Sequence, residues 1–332
     1  MDFNWMTPQE AADKWGISNR RVQALCANGQ VEGVVRLKGG WMIPKGNPKP
    51  PDGRAKNGRK SVKNRQEKCM DFRKVFDTIP EEFDKWRPRY CDELFADVIE
   101  YSKLDTNKTA LEIGPGTGQA TEPILKTGCS YLAIELGENL AEFMINKYKS
   151  YDNFQLVNAD FELYDFGREK FDLVYSAAAF QWIKEEIGYP KLQNILKNGG
   201  TYAYFATPSE NADKELEEKI QKIYIQYFHP ETDYGEYMKK KNEHLQSYQE
   251  KMKTEEIIEK YGFIDIQCRH YNKSREFNAD EYISYMFTSA SHITLQEPHK
   301  SKFIEALKET ILNWGNKITL YDNIALYLAR KP

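Results

Sequence analysis

Residues 109–118 read Thr109-Ala110-Leu111-Glu112-Ile113-Gly114-Pro115-Gly116-Thr117-Gly118. The first five form a short, apolar, β-prone run that feeds straight into the glycines. An amphipathic helix is predicted beyond them, over about 119–126. Strand, glycine turn and helix is the context in which a glycine-rich turn carries chemistry. Glycine lets the backbone turn tightly and approach a ligand with no Cβ in the way, and a helix N-terminus offers unpaired N–H groups. The spacing is G-x-G-x-G, with Gln119 standing where a dinucleotide-binding loop has its third glycine. That departure counts against a nicotinamide dinucleotide. The same glycines would also serve a plain strand-to-helix turn, so the flanking sequence decides.

Outward from this loop, Tyr131-Leu132-Ala133-Ile134-Glu135 is a second predicted strand, ending in an acid 21 residues after Gly114. A carboxylate at that place can accept both ribose hydroxyls of a bound nucleoside. A third strand, Phe154-Gln155-Leu156-Val157-Asn158, ends near Asp160. A fourth, Phe171-Asp172-Leu173-Val174-Tyr175, leads into Ser176-Ala177-Ala178-Ala179.

This series resembles the class I S-adenosylmethionine-dependent methyltransferases of small-molecule type. Glu112-Ile113-Gly114-Pro115-Gly116-Thr117-Gly118 looks like their first motif, Glu135 falls on the ribose-binding acid, and Asp160 with Phe161 falls on the adenine-binding pair. Leu196-Lys197-Asn198-Gly199-Gly200-Thr201 looks like the turn before the fifth strand. The resemblance implies S-adenosylmethionine as cofactor, held by Glu112, Gly114, Pro115, Gly116, Gly118, Glu135, Asp160, Phe161 and Ser176. It also implies a Rossmann-like, mostly parallel seven-stranded sheet, with the last two runs (263–269 and 318–329) pairing antiparallel.

Composition agrees with two domains, at roughly 150 residues each for a chain of 332. An apolar fraction of 40% excludes a wholly disordered chain. No run approaches the roughly 18 apolar residues of a membrane helix. The opening residues Met1-Asp2-Phe3-Asn4-Trp5 lack the apolar block of a secretory signal. Five cysteines never closer than 22 residues exclude CxxC motifs and suit reduced thiols, predicting a cytoplasmic protein. The formal charge of −3 averages two unlike parts: residues 1–68 hold 14 Lys/Arg against 6 Asp/Glu, a net of +8, and 69–332 hold 33 against 44, a net of −11.

Within the basic part, Thr7-Pro8-Gln9-Glu10 is a helix start, with a capping Thr, Pro at the first helical position and Glu to close a capping box. Gly16 ends that helix, Ser18 can cap a second over 19–28, and Val34–Leu37 with Trp41–Ile43 reads as a hairpin. The order resembles MerR/excisionase-like winged helix-turn-helix domains, which implies Asn19, Arg20, Arg21 and Gln23 as DNA contacts. Only +2 of the charge lies in 1–45 and +6 lies in the Pro/Gly-rich stretch 46–68, so a linker carries most of it. A protein-docking role for the module remains open.

The methyl acceptor is harder to read, because displacement at a sulfonium asks the protein mainly for alignment and exclusion of water. Tyr175-Ser176-Ala177-Ala178 is not the Asn/Asp-Pro-Pro-aromatic tetrapeptide that holds a flipped base, and no Pro-Cys pair is present. The expectation is a small-molecule acceptor. Candidates to contact it are Arg87 and Tyr90 in Phe83–Tyr90, Gln181 and Trp182 after the fourth strand, and Tyr285 and His292 in a helix over 281–292. Gln181 stands where relatives often carry His, so no catalytic base is assigned. Residues 209–260 are expected to form a helical cap. The domains expected are a winged helix-turn-helix at 1–45, a linker at 46–68 and an α/β methyltransferase domain at 69–332. Two other readings stay open: a transcription regulator using the fold as a cofactor sensor, and a nucleic-acid methyltransferase.

Overall fold

The computed structural model describes residues 5–27, 30–31, 34–37, 40–50, 72–228 and 254–332. Most of the expected linker (51–68), the middle of the expected cap (229–253), the hairpin tip Lys38-Gly39 and Cys69 lie outside them.

The chain begins with strand β1 (Trp5–Met6), helices α1 (Pro8–Trp15) and α2 (Asn19–Ala27), and strands β2 (Val35–Leu37) and β3 (Gly40–Pro44). The α1 start is a full capping box: the Glu10 N–H donates to the Thr7 hydroxyl at 3.2 Å, and the Thr7 N–H donates to the Glu10 carboxylate at 2.6 Å. Gly16 ends the helix at φ 63°, a left-handed cap that a side chain would strain. Ala11, Ala12 and Trp15 of α1 pack on Val22, Leu25 and Cys26 of α2, with Met6 and Ile43 beneath them. The hairpin is present, and β1, which the sequence reading missed, adds a third strand by pairing with Ile43 and Pro44.

A 3-10 helix (Phe72–Thr78) opens the second part, followed by α3 (Pro80–Trp86) and α4 (Asp92–Ser102). Then strands and helices alternate: β4 (Thr109–Ile113), α5 (Thr121–Leu125), β5 (Ser130–Glu135), α6 (Glu138–Tyr148), β6 (Phe154–Asn158), β7 (Phe171–Ala177), α7 (Glu185–Ile195) and β8 (Leu196–Ala206). With β10 (Ile264–Phe277) and β11 (Ile318–Arg330), the strand order is β10-β11-β8-β7-β4-β5-β6. The pairs from β8 through β7, β4 and β5 to β6 are parallel. The chain builds outward from β4 to β6 on one side, then crosses back to β7 on the other. This puts a topological switch point between β4 and β7, where a crevice opens at the carboxyl ends of the strands. Helices cover both faces, so β4 and β7 are almost wholly buried, as their apolar runs require.

Long strands β10 (Ile264–Phe277) and β11 (Ile318–Arg330) pair antiparallel and extend past the sheet edge, as the family resemblance implied. On that extension sits a third core, in which Leu216 and Ile220 of α8 (Lys214–Phe228) meet Tyr282, Phe303 and Leu307.

Three expectations are corrected. The sheet has eight strands, because β9 (Ser209–Asn211) pairs with Leu320–Asp322 of β11. The expected cap therefore begins as a strand, and α8 follows it. The helix expected over 281–292 starts earlier, at the Asn278–Glu281 capping box, and breaks after Met286. It resumes only at Ala290–Ile293, because Ser289 is in extended backbone. Leu196–Thr201 lies between α7 and the regularly paired part of β8: Leu196 faces Phe171 and Thr201 faces Leu173, with Gly199 at φ 73° between them. Cys26, Cys91, Cys129 and Cys268 form no disulfide among the described residues. Among the described residues no helix is long and apolar enough to cross a membrane.

Three strands are locked together by one buried ion pair. The Asp322 carboxylate, 1% exposed, accepts from Arg275 Nε at 2.5 Å, Arg275 Nη2 at 2.8 Å and Ser209 Oγ at 2.5 Å. Removing one partner strands the other charge in an apolar surround. Asp322→Ala is expected to cost roughly 3–5 kcal/mol of unfolding free energy in urea titration. A loss below about 1 kcal/mol would show that the pair does not hold β9, β10 and β11 in register.

Candidate active site

At the carboxyl end of β4 the chain turns through Gly114, Gly116 and Gly118, at φ 65°, 61° and 84°. Two of these glycines make room for close approach. A Cβ on Gly114 would lie 2.6 Å from that of Ala179, and one on Gly116 would lie 3.0 Å from the Phe83 ring. The backbone thus comes bare into a cleft of about 230 Å3 at the switch point.

Two carboxylates stand in this wall. Glu135, at the end of β5 and 6% exposed, accepts from the Gly116 N–H at 3.0 Å and the Gly137 N–H at 2.9 Å. Burial pushes its carboxyl up to about 7 against those two donors. Asp160, after β6, is gripped by Arg73 at 2.8 Å and accepts from the Glu162 N–H at 2.9 Å. Lys191 supports the same loop from beneath, with its ammonium 5.2 Å from the Phe161 ring.

Gly114, Pro115, Gly116, Glu135, Asp160 and Phe161 line the cleft. Arg87, Tyr90, Gln181 and Trp182 line it as well. Tyr90 is packed edge-on against Phe205 at 4.7 Å, and burial pushes its hydroxyl up to about 12. Gln181 has both ends of its amide engaged, donating to Ala178 O at 2.8 Å and accepting from Tyr204 OH at 3.0 Å.

Five candidates lie elsewhere. Glu112 points away from the cleft into a fully buried polar knot, accepting from Thr121 Oγ1 at 2.6 Å and from Tyr131, whose hydroxyl meets that of Tyr175 at 2.7 Å. Gly118 serves packing: a Cβ there would lie 2.8 Å from both Met144 and Tyr148 of α6. Ser176 donates to Ile113 O at 2.9 Å and ties β7 to β4 below the loop. Tyr285 stacks on Phe277 at 5.4 Å under Arg275. His292 is buried among Phe228, Phe287 and Phe303, its Nε2 is 2.5 Å from Tyr224 OH, and burial pushes it down to about 4. These last two pack with the third core, Tyr285 on Phe277 and His292 on Phe303, and neither lines the cleft.

The sequence reading missed the roof. Arg73 and Phe76 of the 3-10 helix lie over the cleft, with Phe76 edge-on to Phe83 at 5.5 Å and to Trp182 at 6.1 Å. Arg73 stands just beyond the run of basic residues that ends at Lys68, and nothing in its neighbours marks it apart. Thr207, another lining residue, follows β8 with no motif around it.

In the N-terminal module, Asn19 donates to Gln9 at 2.9 Å and accepts from Gln23 at 2.8 Å. Arg20 and Arg21 are exposed at the start of α2.

Gly114→Ala combines a positive φ with a 2.6 Å Cβ contact. It is expected to lower the unfolding free energy by roughly 1–3 kcal/mol in denaturant titration. A variant as stable as the parent would mean that the loop has room to relax.

A family profile described as a methyltransferase domain matches residues 111–204, from β4 into β8, and so takes in the glycine loop, Glu135 and Asp160. The malonyl-[acyl-carrier protein] O-methyltransferase 2 of Ilyobacter polytropus is 32% identical over 116 residues, 34% of this chain and 44% of that protein. The ribosomal RNA small subunit methyltransferase A of Clostridium acetobutylicum is 37% identical over 70 residues, 21% of this chain and 25% of that protein. The chain therefore spans less than half the length of these curated relatives. Among solved structures, the phosphoethanolamine N-methyltransferase 2 of Haemonchus contortus aligns over 79% of this chain and 60% of that one, at 16% identity and a TM-score of 0.45. The YcgJ protein of Bacillus subtilis aligns over 73% of this chain and 99% of that one, at 12% identity and a TM-score of 0.46. From the profile match, together with a glycine loop and a strand-end acid at the switch point of a mostly parallel sheet, the chain carries a class I methyltransferase domain whose cofactor is S-adenosylmethionine.

Proposed function

We propose that the protein transfers a methyl group from S-adenosylmethionine to a small-molecule acceptor in the cleft at the switch point. The observation that carries this reading is the roofed cleft itself. Gly114, Gly116, Glu135 and Asp160 line it together with Arg87, Tyr90, Gln181 and Trp182, and Arg73, Phe76 and Phe83 complete the lining, with Phe76 on Phe83 and Trp182. The fit is physical: the bare glycine backbone leaves space for the amino-acid end, Glu135 can accept the ribose hydroxyls, and Asp160 with Phe161 can take the adenine. The cofactor, when bound, supplies an electrophilic methyl on a sulfonium. The residues around it align the acceptor and keep water out.

On this reading the two carboxylates of the cleft, Glu135 and Asp160, are taken up by the cofactor, and no other lining group is suited to removing a proton from the acceptor at neutral pH. The Gln181 amide has no such chemistry, and Tyr90 holds its proton to about 12. Among the described lining residues none is His, Lys or Cys. An acceptor that arrives with a free lone pair, such as a carboxylate or a neutral amine, suits the site. The net charge of −11 over 69–332 also favours a small acceptor over a nucleic acid.

A second reading concerns the N-terminal part. Two short helices followed by a small antiparallel sheet, with Arg20 and Arg21 exposed on α2, suit a winged helix-turn-helix that places α2 in a DNA groove. On this reading 1–45 is the docking domain, 46–68 adds phosphate contacts, and 69–332 is the enzyme. It makes the protein either an enzyme held at DNA or a regulator that senses cofactor.

Turnover with methyl-labelled cofactor is expected on a pool of small metabolites and not on DNA or ribosomal RNA. Methylation of nucleic acid alone would overturn the first reading. Genomic DNA fragments are expected to bind the full chain and to lose affinity in Arg20→Ala/Arg21→Ala. No binding by the parent would remove the second reading and leave the first standing. Ribose hydroxyls donate to an ionised carboxylate, so cofactor binding favours loss of the Glu135 proton. With that carboxyl near 7, affinity is expected to rise with pH up to about 7 and then level off. In Glu135→Gln the affinity should be weaker and independent of pH across that range. A parent profile flat from pH 5.5 to 8.5 would contradict the assignment.

A further inference from the structure

We propose that Arg73 is a positioning residue that sets the cofactor site's preference for a 6-amino over a 6-oxo purine. The inference rests on the reading of Asp160 as the acceptor for the adenine amino group.

Arg73 reaches Asp160 side-on, with Nη2 to Oδ2 at 2.8 Å and Nη1 to Oδ1 at 3.4 Å. Oδ1 also accepts from the Glu162 N–H at 2.9 Å. A carboxylate has about four acceptor positions. Three are taken here, and the one left is on Oδ2. Both residues line the cleft, so this position is the one on offer to a base.

The fork also fixes where that position points. Arg73 sits on a 3-10 helix that is pinned at its other end. Asp77 Oδ1 accepts from the Leu140 N–H at 2.9 Å, and the Asp77 carbonyl accepts from Asn139 Nδ2 at 2.9 Å. Gly137 leaves room for this contact, since a Cβ there would lie 2.4 Å from Asp77 Oδ1. Phe76, between the two pins, rests on Phe83 and Trp182. The carboxylate is therefore held from two sides and has one lone pair free.

An adenine amino group can donate to that lone pair. A hypoxanthine presents a carbonyl oxygen at the same place and its nearest donor one ring position away, at N1. A carboxylate locked by a planar fork cannot turn to follow the donor, so the oxo base is rejected. Without the fork Asp160 can rotate, and the rejection weakens. Lysine keeps the charge at position 73 but not the two-pronged geometry, so it restores the preference only in part.

The test is calorimetric titration of the full chain with S-adenosylhomocysteine and with S-inosylhomocysteine. The ratio of the two affinities in the parent is compared with those in Arg73→Met and Arg73→Lys. The parent is expected to favour the adenine ligand by on the order of tenfold or more. Arg73→Met should bring the ratio close to one, and Arg73→Lys should fall between. A residue that only stabilised the fold would weaken both ligands alike, so an unchanged ratio in both variants overturns the proposal. A parent that binds both ligands equally overturns the Asp160 assignment and the proposal with it. A parent that binds neither overturns the cofactor site itself.

Discussion

The carboxylate of Glu135 ties together two loops that belong to different strands. One oxygen takes the Gly116 N–H from the turn after β4, and the other takes the Gly137 N–H from the turn after β5. Both loops are tight: Gly116 is at a positive φ and Gly137 lies hard against Asp77. The carboxyl is buried, and its desolvation outweighs the two donors, which is why its proton is held up to about 7. A ligand that adds hydroxyl donors relieves this cost. The arrangement is thus incomplete as a structural device and complete as a binding one.

Beneath the glycine loop a second acid does the opposite work. Glu112 is closed off from the cleft by the knot of Thr121, Tyr131 and Tyr175, which joins β4 to its neighbours β5 and β7. Burial raises its carboxyl as well, and Oε1 finds no partner among the described residues. The two acids differ by where the pleat sends them. Glu112 falls on the inner face of a strand covered on both sides, whereas Glu135 falls at a strand end where the sheet opens. Ser176 and Gly118 follow the same rule, since both sit next to the loop and serve its packing.

Much of the catalytic domain was legible in the sequence because its signals are local. A β-prone run, a glycine turn and an acid at a strand end are each set within a few residues, and the spacing between them fixed β4, β5, β6 and β7 closely. The capping box at Thr7–Glu10 was readable for the same reason. Arg73 was not, because its meaning comes from Asp160, 87 residues away. Tyr285 and His292 were misread because aromatic residues at helical spacing fit a binding lid and a core equally well. What each side chain packs against decides between them: Phe277 and Arg275 for Tyr285, Tyr224 and Phe303 for His292. The eighth strand escaped because Ser209–Asn211 is short and polar, and is held by pairing with β11 rather than by its own pattern.

The account centres on one placement, the ribose of the cofactor against Glu135 with its purine against Asp160. A crystal structure of the full chain with S-adenosylhomocysteine tests this directly. The expected result is both ribose hydroxyls within hydrogen-bonding distance of Glu135, the purine amino group on Asp160, and the 3-10 helix Phe72–Thr78 closed over them. A ligand bound with its ribose away from Glu135, or no ligand in the cleft at saturating concentration, would contradict it.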